Sequence, residues 1–298
     1  MHVQHQKAFE PFAQKVGELS GGKVQIKIYP SATLGNPKTM VDAIRKGITD
    51  IGFVLPSYVP GRFQRSSVFE LPFIFKGAQN VTMAFYDNYE KYFAEDYKNF
   101  KVLWFLSSPL SQCYTVKKPI LAADDFAGMK IRSGGEKETV GIKMLGGNPV
   151  GMPISELSIA LQKGVVDGAF TPYAALKSHK LVDVAKNITE INYSGALMAV
   201  LMNKKKWEKL PDYAQKAIDQ VATREFGLLA AAAFDEEDQK MVALGKSKGI
   251  RFHALSKAEM NKIRRKCDRI YSDWVKANAA RFPSQAILDA VRASAQSH

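Results

Sequence analysis

Residues 128–172 read GMKIRSGGEKETVGIKMLGGNPVGMPISELSIALQKGVVDGAFTP, and this stretch sets the architecture. Lys130-Ile131-Arg132 is a short strand-like piece that delivers an arginine into Gly134-Gly135. A helix is predicted over 136–144, ended by Gly146-Gly147, and a second strand over 149–152, stopped by Pro153. Ser155 then reads as the N-cap of a helix, with Glu156 in its first turn against the dipole. Leu157, Ile159, Ala160 and Leu161 form its apolar positions, and Gly164 closes it. Val165-Val166 begins a third buried strand that ends at Phe170-Thr171-Pro172. Strand–helix–strand–helix–strand at this density is the grammar of a parallel sheet, whose strand ends form ligand crevices. Arg132 and Phe170-Thr171 both fall at such ends, an arrangement suited to holding an anion on a guanidinium.

Spacing alone leaves Arg132 open to a second reading, since a lone arginine at a strand end is commonly a solvated surface residue. The motifs in order resemble something more specific. GMKIR, then GGNPVGMPISEL, then ALQKGVVDG and TP, are similar to the solute-binding subunit of tripartite ATP-independent periplasmic (TRAP) transporters, the DctP-like family. The resemblance implies an α/β, two-lobed periplasmic-binding-protein fold of type II-like topology, with hinge strands and a long helix crossing both lobes. It also implies that Arg132 grips a substrate carboxylate.

Outward toward the N-terminus the same likeness continues. Phe9, Phe12, Ala13, Val16 and Leu19 mark one face of a helix, and Ser20-Gly21-Gly22 ends it. Val24, Ile26 and Ile28 alternate with Gln25 and Lys27, which predicts a strand closed by Tyr29-Pro30. A helix through Met40 and Ile44 and a buried strand over 50–54 follow. Tyr58, in the loop after that strand, is the candidate contact from the first lobe; the plainer reading is an aromatic that only packs the loop. The LPF segment Leu71-Pro72-Phe73 reads as structural. The resembling proteins are exported and open with a strand before the His2-containing segment. The expectation is therefore that an export signal was removed or lies upstream of the stated start, and that a first strand is missing or excluded by that start.

Toward the C-terminus, 107–116 is expected to carry the chain between lobes, and 196–202 to return as a strand ahead of Asn203. A long helical pattern spans 207–246, kinked at Gly227, and a second amphipathic helix at 258–279 is assigned to the second lobe. The expected division is 1–111 with 199–238 as one lobe, and 112–198 with 239–298 as the other.

The charge balance is +13 with a pI near 9.5, yet the only basic runs are Lys204-Lys205-Lys206 and Arg264-Arg265-Lys266. Nucleic-acid binding is the sharp reading of that charge, but no basic–aromatic platform or recognised motif accompanies it, so no nucleic-acid partner is expected. A basic surface that attracts anions at long range is the plainer account. No run approaches the ~18 apolar residues of a membrane span; the nearest, 228–234, ends on Asp235-Glu236-Glu237-Asp238. Cys113 and Cys267 have no metal spacing, and either one disulfide or two buried thiols fits them. G-x-S-x-G, P-loop, H-E-x-x-H and C-x-x-C motifs are all missing, and Glu156 and Asp167 read as helix-start and turn chemistry, so no catalysis, cofactor or metal is expected.

Departures from the family pattern bear on the ligand. Thr171 stands where the family has Asn before Pro, Phe170 where Glu is frequent, and Gln112 where some members that bind acidic sugars carry a second arginine. With Tyr173, Met152 and Leu197 adding apolar surface, a site with one cation best accommodates one carboxylate. The expected ligand is an aromatic or 2-oxo monocarboxylate, with a C4-dicarboxylate or sugar acid as the alternative. The resemblance further implies a periplasmic location and delivery to TRAP membrane permease subunits by hinge closure; a monomer is expected.

Overall fold

The computed structural model describes residues 2–30 and 33–298. Its strands are β1 (Ile51–Val54), β2 (Phe100–Ser107), β3 (Gln112–Thr115), β4 (Lys130–Ser133), β5 (Asn148–Gly151), β6 (Gly168–Thr171), β7 (Asn187–Glu190), β8 (Leu197–Asn203) and β9 (Arg251–Ala254). They form two separate sheets, ordered β1-β8-β2 and β5-β4-β6-β3-β7-β9. The first is wholly antiparallel around the fully buried β8. In the second, β4 is parallel to both β5 and β6, as the alternation of strands and helices requires, while β3 enters antiparallel beside β6.

Two details of the deciding stretch differ from expectation. Val165-Val166 lie before the ladder rather than in it: β6 begins at Gly168, and Val165 is 48% exposed. Asp167 sets that start, its N–H donating to Lys130 O at 2.7 Å and its carboxylate accepting from Lys130 N at 2.8 Å. Ser155 does not cap. The chain makes a 3-10 turn, Ile154–Glu156, before the helix Leu157–Gln162, and no side chain caps either piece.

The first lobe is built on aromatics. Phe85 sits 4.2 Å from Phe105 and 5.1 Å from Phe93, ring centre to ring centre, among residues shielded from solvent; each such buried side chain is worth ~1.5–3 kcal/mol. Val24, Ile26 and Ile28 keep their alternating burial, but the segment makes no ladder bonds among the described residues, because the sheet ends at β1 and β2. Burial imposes the period of two without a partner strand.

The 207–246 pattern resolves into three helices, Lys204–Glu208, Asp212–Val221 and Arg224–Ser247. One break falls at 209–211 and the other at Ala222-Thr223, where the Thr223 hydroxyl caps Phe226 N at 3.2 Å; neither is at Gly227. Gly227 instead permits close approach: a Cβ there would collide with Phe105 O and the Tyr86 hydroxyl. The helix Arg224–Ser247 does cross both lobes. Phe234 packs with Trp104 and Val200 in the first, and Met241 packs with Tyr114 and Ile188 in the second. Asp235 caps the first-lobe helix Ala78–Asn88 through Ala78 N at 2.9 Å, and Asp238, one turn on, accepts from second-lobe Ala174 N at 2.7 Å.

The expected assignment of 239–298 to the second lobe needs correction. Ile263 and Cys267, on the helix Lys257–Cys267, pack with Cys113 and Ile131 of the second lobe. The next two helices, Arg269–Asn278 and Ser284–Ser297, return to the first lobe through Ile270, Trp274, Ile287 and Val291. The expected single helix over 258–279 is thus two, divided at Asp268, and they serve different cores. Both cysteines are buried free thiols; burial pushes the Cys267 thiol up to about 12.

Two chain segments run side by side between the lobes. Ser108 N donates to Ala196 O, Ser111 N to Ser194 O, and Tyr193 N to Ser111 O, each at 2.9 Å. The paired segments, 108–111 and 193–196, lie within 107–116 and just ahead of the strand expected at 196–202.

Candidate functional site

β4 carries Arg132 into the space between the lobes, where it is 4% exposed. Its Nε donates to Met152 O at 3.0 Å, its Nη1 to Phe170 O at 3.2 Å, and its Nη2 to the Tyr58 hydroxyl at 3.0 Å. A guanidinium has five N–H bonds, so one remains on each terminal nitrogen. No carboxylate lies within ion-pair distance among the described residues. A buried cation that no carboxylate contacts directly is an expensive arrangement, and two free N–H bonds on neighbouring nitrogens match the two oxygens of a carboxylate. Gly134 lies flat against the group: a Cβ there would stand 2.9 Å from Nη1 and 3.0 Å from Nη2.

Tyr58, on a 3-10 turn after β1, reaches across from the first lobe. Its oxygen accepts from Arg132 and also from Ile154 N at 3.1 Å, so one hydroxyl ties two points of the second lobe to the first. Thr171, at the end of β6, is 1% exposed, and its hydroxyl has no hydrogen-bond partner among the described residues.

The other expected contacts are placed differently. Phe170 and Met152 meet Arg132 through their carbonyls. The Phe170 ring is enclosed in the second-lobe core, 4.8 Å from Tyr193, and Met152 packs on the apolar cluster around Leu157. Tyr173 packs in that cluster, its ring tilted against Phe252 at 5.8 Å, and Leu197 is buried in the first-lobe core. For Phe170 and Leu197, strand alternation explains this, since inward positions serve the lobes and not the cleft. Gln112 is fully committed to the hinge. Its Oε1 accepts from Ile191 N at 2.9 Å and Asn192 N at 3.0 Å, while its Nε2 donates to Asn192 Oδ1 at 2.7 Å. It braces Asn192, which holds a left-handed backbone at φ 47°.

Other groups line the lobe contact that motif reading did not select. Glu138 accepts from Gly134 N at 2.6 Å and Ser111 Oγ at 3.4 Å; burial pushes its carboxyl up, against the pull of Arg132. Glu70, on the first-lobe turn Arg65–Glu70, accepts from Lys137 N at 3.5 Å at the start of the helix Glu136–Met144, and burial pushes it up to about 7. His2 and His179 meet edge to face at 6.3 Å across the two lobes. A helix-start acid and isolated histidines carry no spacing signature, so only their neighbours in space mark them.

A profile of bacterial extracellular solute-binding protein family 7, DctP, matches residues 1–278. The chain superposes with a TM-score of 0.95 on a marine metagenome TRAP solute-binding protein described as specific for aromatic acid ligands and crystallised with 3-hydroxybenzoate. That protein is 30% identical, with 99% of this chain and 94% of the other covered. A TRAP solute-binding protein of Rhodoferax ferrireducens with copurified benzoate gives a TM-score of 0.96 at 27% identity, covering 100% and 95%. The C4-dicarboxylate-binding periplasmic protein DctP of Rhodobacter capsulatus is 27% identical over 275 residues, 84% of this chain and 75% of that one. With two lobes joined by paired strands and a buried arginine between them, the chain belongs to family 7 of the bacterial extracellular solute-binding proteins, the DctP family.

Proposed function

We propose that the protein is the extracytoplasmic receptor of a TRAP transporter, capturing an aromatic or 2-oxo monocarboxylate between its lobes and delivering it to membrane permease subunits. The observation that carries this reading is Arg132: buried, without a carboxylate partner, and with one N–H left on each terminal nitrogen. A carboxylate seated there completes the group's hydrogen bonds and neutralises its charge. The acid's body then lies between the lobes, so binding favours the closed arrangement by its extra contacts there. The aromatic acid and benzoate complexes of the two structural relatives support the ligand class.

A C4-dicarboxylate is the second reading, favoured by the name of the Rhodobacter capsulatus relative. It requires a second cation at the site, and Gln112, at the position considered for one, is neutral and engaged in the hinge. Calorimetric titration with benzoate, phenylpyruvate and succinate decides between them. Tighter binding of either monocarboxylate supports the first reading, and a preference for succinate overturns it.

A further inference from the structure

Where the chain leaves the second lobe for the first near its C-terminus, two helical walls flank a groove of about 620 Å³. Arg265, Arg269 and Ser272 stand on one wall at i, i+4 and i+7, running from the last turn of Lys257–Cys267 into Arg269–Asn278. The backbone stays helical through Asp268, at φ −60° and ψ −37°, so this spacing keeps the three on one side. Gln285, Leu288 and Arg292 form the other wall, at i, i+3 and i+7 of Ser284–Ser297. Lys257–Cys267 packs with Cys113 and Ile131 of the second lobe, and the other two helices pack in the first-lobe core. The groove therefore lies over the border between the lobes, and it shares no residue with the Arg132 site.

Its three guanidiniums are unequally answered. Arg269 Nε meets Asp273 Oδ2 at 3.1 Å. Arg265 and Arg292 have no carboxylate within ion-pair distance among the described residues. Asp268 is the one acid on the walls among those residues, so the groove keeps a positive surplus. Arg292 is also held in place: its guanidinium lies 4.3 Å from the centre of the Tyr271 ring, and the Tyr271 hydroxyl donates to Pro72 O at 2.6 Å. A planar fork stacked on a pinned ring has little freedom left to lose on binding. Guanidiniums on opposite walls select the shape of the anion. The two coplanar oxygens of a carboxylate suit a single fork, whereas the three oxygens of a phosphate monoester, carrying ~−1.5 to −2 charges near pH 7, can serve two. Val275, Leu288 and the Tyr271 ring add apolar lining, and the volume lies within the about 300–1,000 Å³ of small-molecule sites, so there is room for an organic body.

We propose that this groove is a second binding site, separate from the Arg132 cleft, which takes a small organic phosphate monoester between Arg265 and Arg292. Ser272 and Gln285 are engaged on their own helices, through Arg269 O and Asp289 Oδ1, so the two arginines carry the recognition. The body of the ester lies along Val275 and Leu288.

The test is isothermal titration of phenyl phosphate into the wild type, Arg265→Gln, Arg292→Gln, Arg292→Lys and Arg132→Ala, at about 0.15 M salt, where diffuse surface attraction is screened beyond about 8 Å. Thermal melts check that each variant is folded. Saturable binding to the wild type is expected, weakened at least about tenfold by either glutamine substitution, the size of one lost charge-assisted hydrogen bond. Arg292→Lys is expected to recover only part of that loss, because it keeps the charge without the fork. Arg132→Ala is included because a phosphate could also enter the cleft: binding that persists there supports the groove, and binding lost there but kept in both glutamine variants overturns it. Absence of binding to the wild type overturns it as well. Capture of the wild type by phosphatidic acid vesicles without any binding of phenyl phosphate overturns the small-molecule reading in favour of a lipid headgroup.

Discussion

The Tyr58 hydroxyl of the first lobe accepts a hydrogen bond from Arg132 Nη2 of the second at 3.0 Å, and from Ile154 N at 3.1 Å. The residue placed to hold an acid is thereby also a contact of the lobe closure. Tyr58→Phe removes the acceptor and strands Ile154 N, at about 1–3 kcal/mol for each buried group left unmade. The expected outcome is a ligand affinity about tenfold weaker and an unliganded melting temperature lowered by a few degrees, read by titration and by thermal melts.

Replacing the guanidinium acts on affinity far more than on folding. Arg132→Ala is expected to weaken carboxylate binding by at least about 100-fold, the effect of removing one partner of a buried ion pair. Arg132→Lys keeps the charge but not the planar fork, and is expected to recover only part of that loss. Circular dichroism checks that both variants remain folded; an unchanged dissociation constant in Arg132→Ala refutes the carboxylate site.

Gly134→Ala tests the close approach. The added methyl lies 2.9 Å from Arg132 Nη1, so the guanidinium must shift from its place at the strand end. Affinity is expected to fall about tenfold or more, while stability changes by no more than about 1–2 kcal/mol in urea unfolding. A variant that binds like the wild type shows that the guanidinium has room to move.

Glu70 gives the molecule a pH dependence. Its carboxyl sits between Lys137, Glu138 and Glu136 of the second lobe, and burial raises it to about 7 from 4.5. Because the folded form prefers the protonated acid, its contribution is fully present below pH 4.5 and is lost as pH rises through about 7. The wild-type melting temperature is therefore expected to fall relative to that of Glu70→Gln between pH 5 and pH 8. Parallel curves for the two proteins rule the effect out.

Gln112→Ala leaves Ile191 N and Asn192 N without their acceptor. A loss of about 1–3 kcal/mol is expected in urea unfolding, together with weaker ligand binding because Asn192 is no longer braced in its left-handed conformation. Unaltered stability shows that water replaces the amide.

What was legible in the residues depended on the range of the interaction concerned. Gly128 to Pro172 announced its strands and helices because glycines, prolines and apolar spacing act within a few positions, and the parallel pairing of β4 with β5 and β6 followed. Val24 to Ile28 was read as a strand on the same local grounds and forms no ladder, since a ladder needs a neighbour that alternation does not specify. At the site, Arg132 and Tyr58 carried motif signals, and both sit at the lobe contact. Phe170, Met152, Tyr173 and Leu197 were chosen for being apolar near the motifs, a property shared by core and cleft alike; they pack the core or offer only a carbonyl. Glu70, Glu138 and His179 become visible only once chain segments far apart in sequence are brought together.

Asp235 and Asp238 have one further consequence. Three residues apart on a single rod, they fasten it to different halves of the molecule, through Ala78 and Ala174. Any relative movement of the halves at this point must therefore bend or twist a single helical turn, or break one of these two carboxylate fastenings.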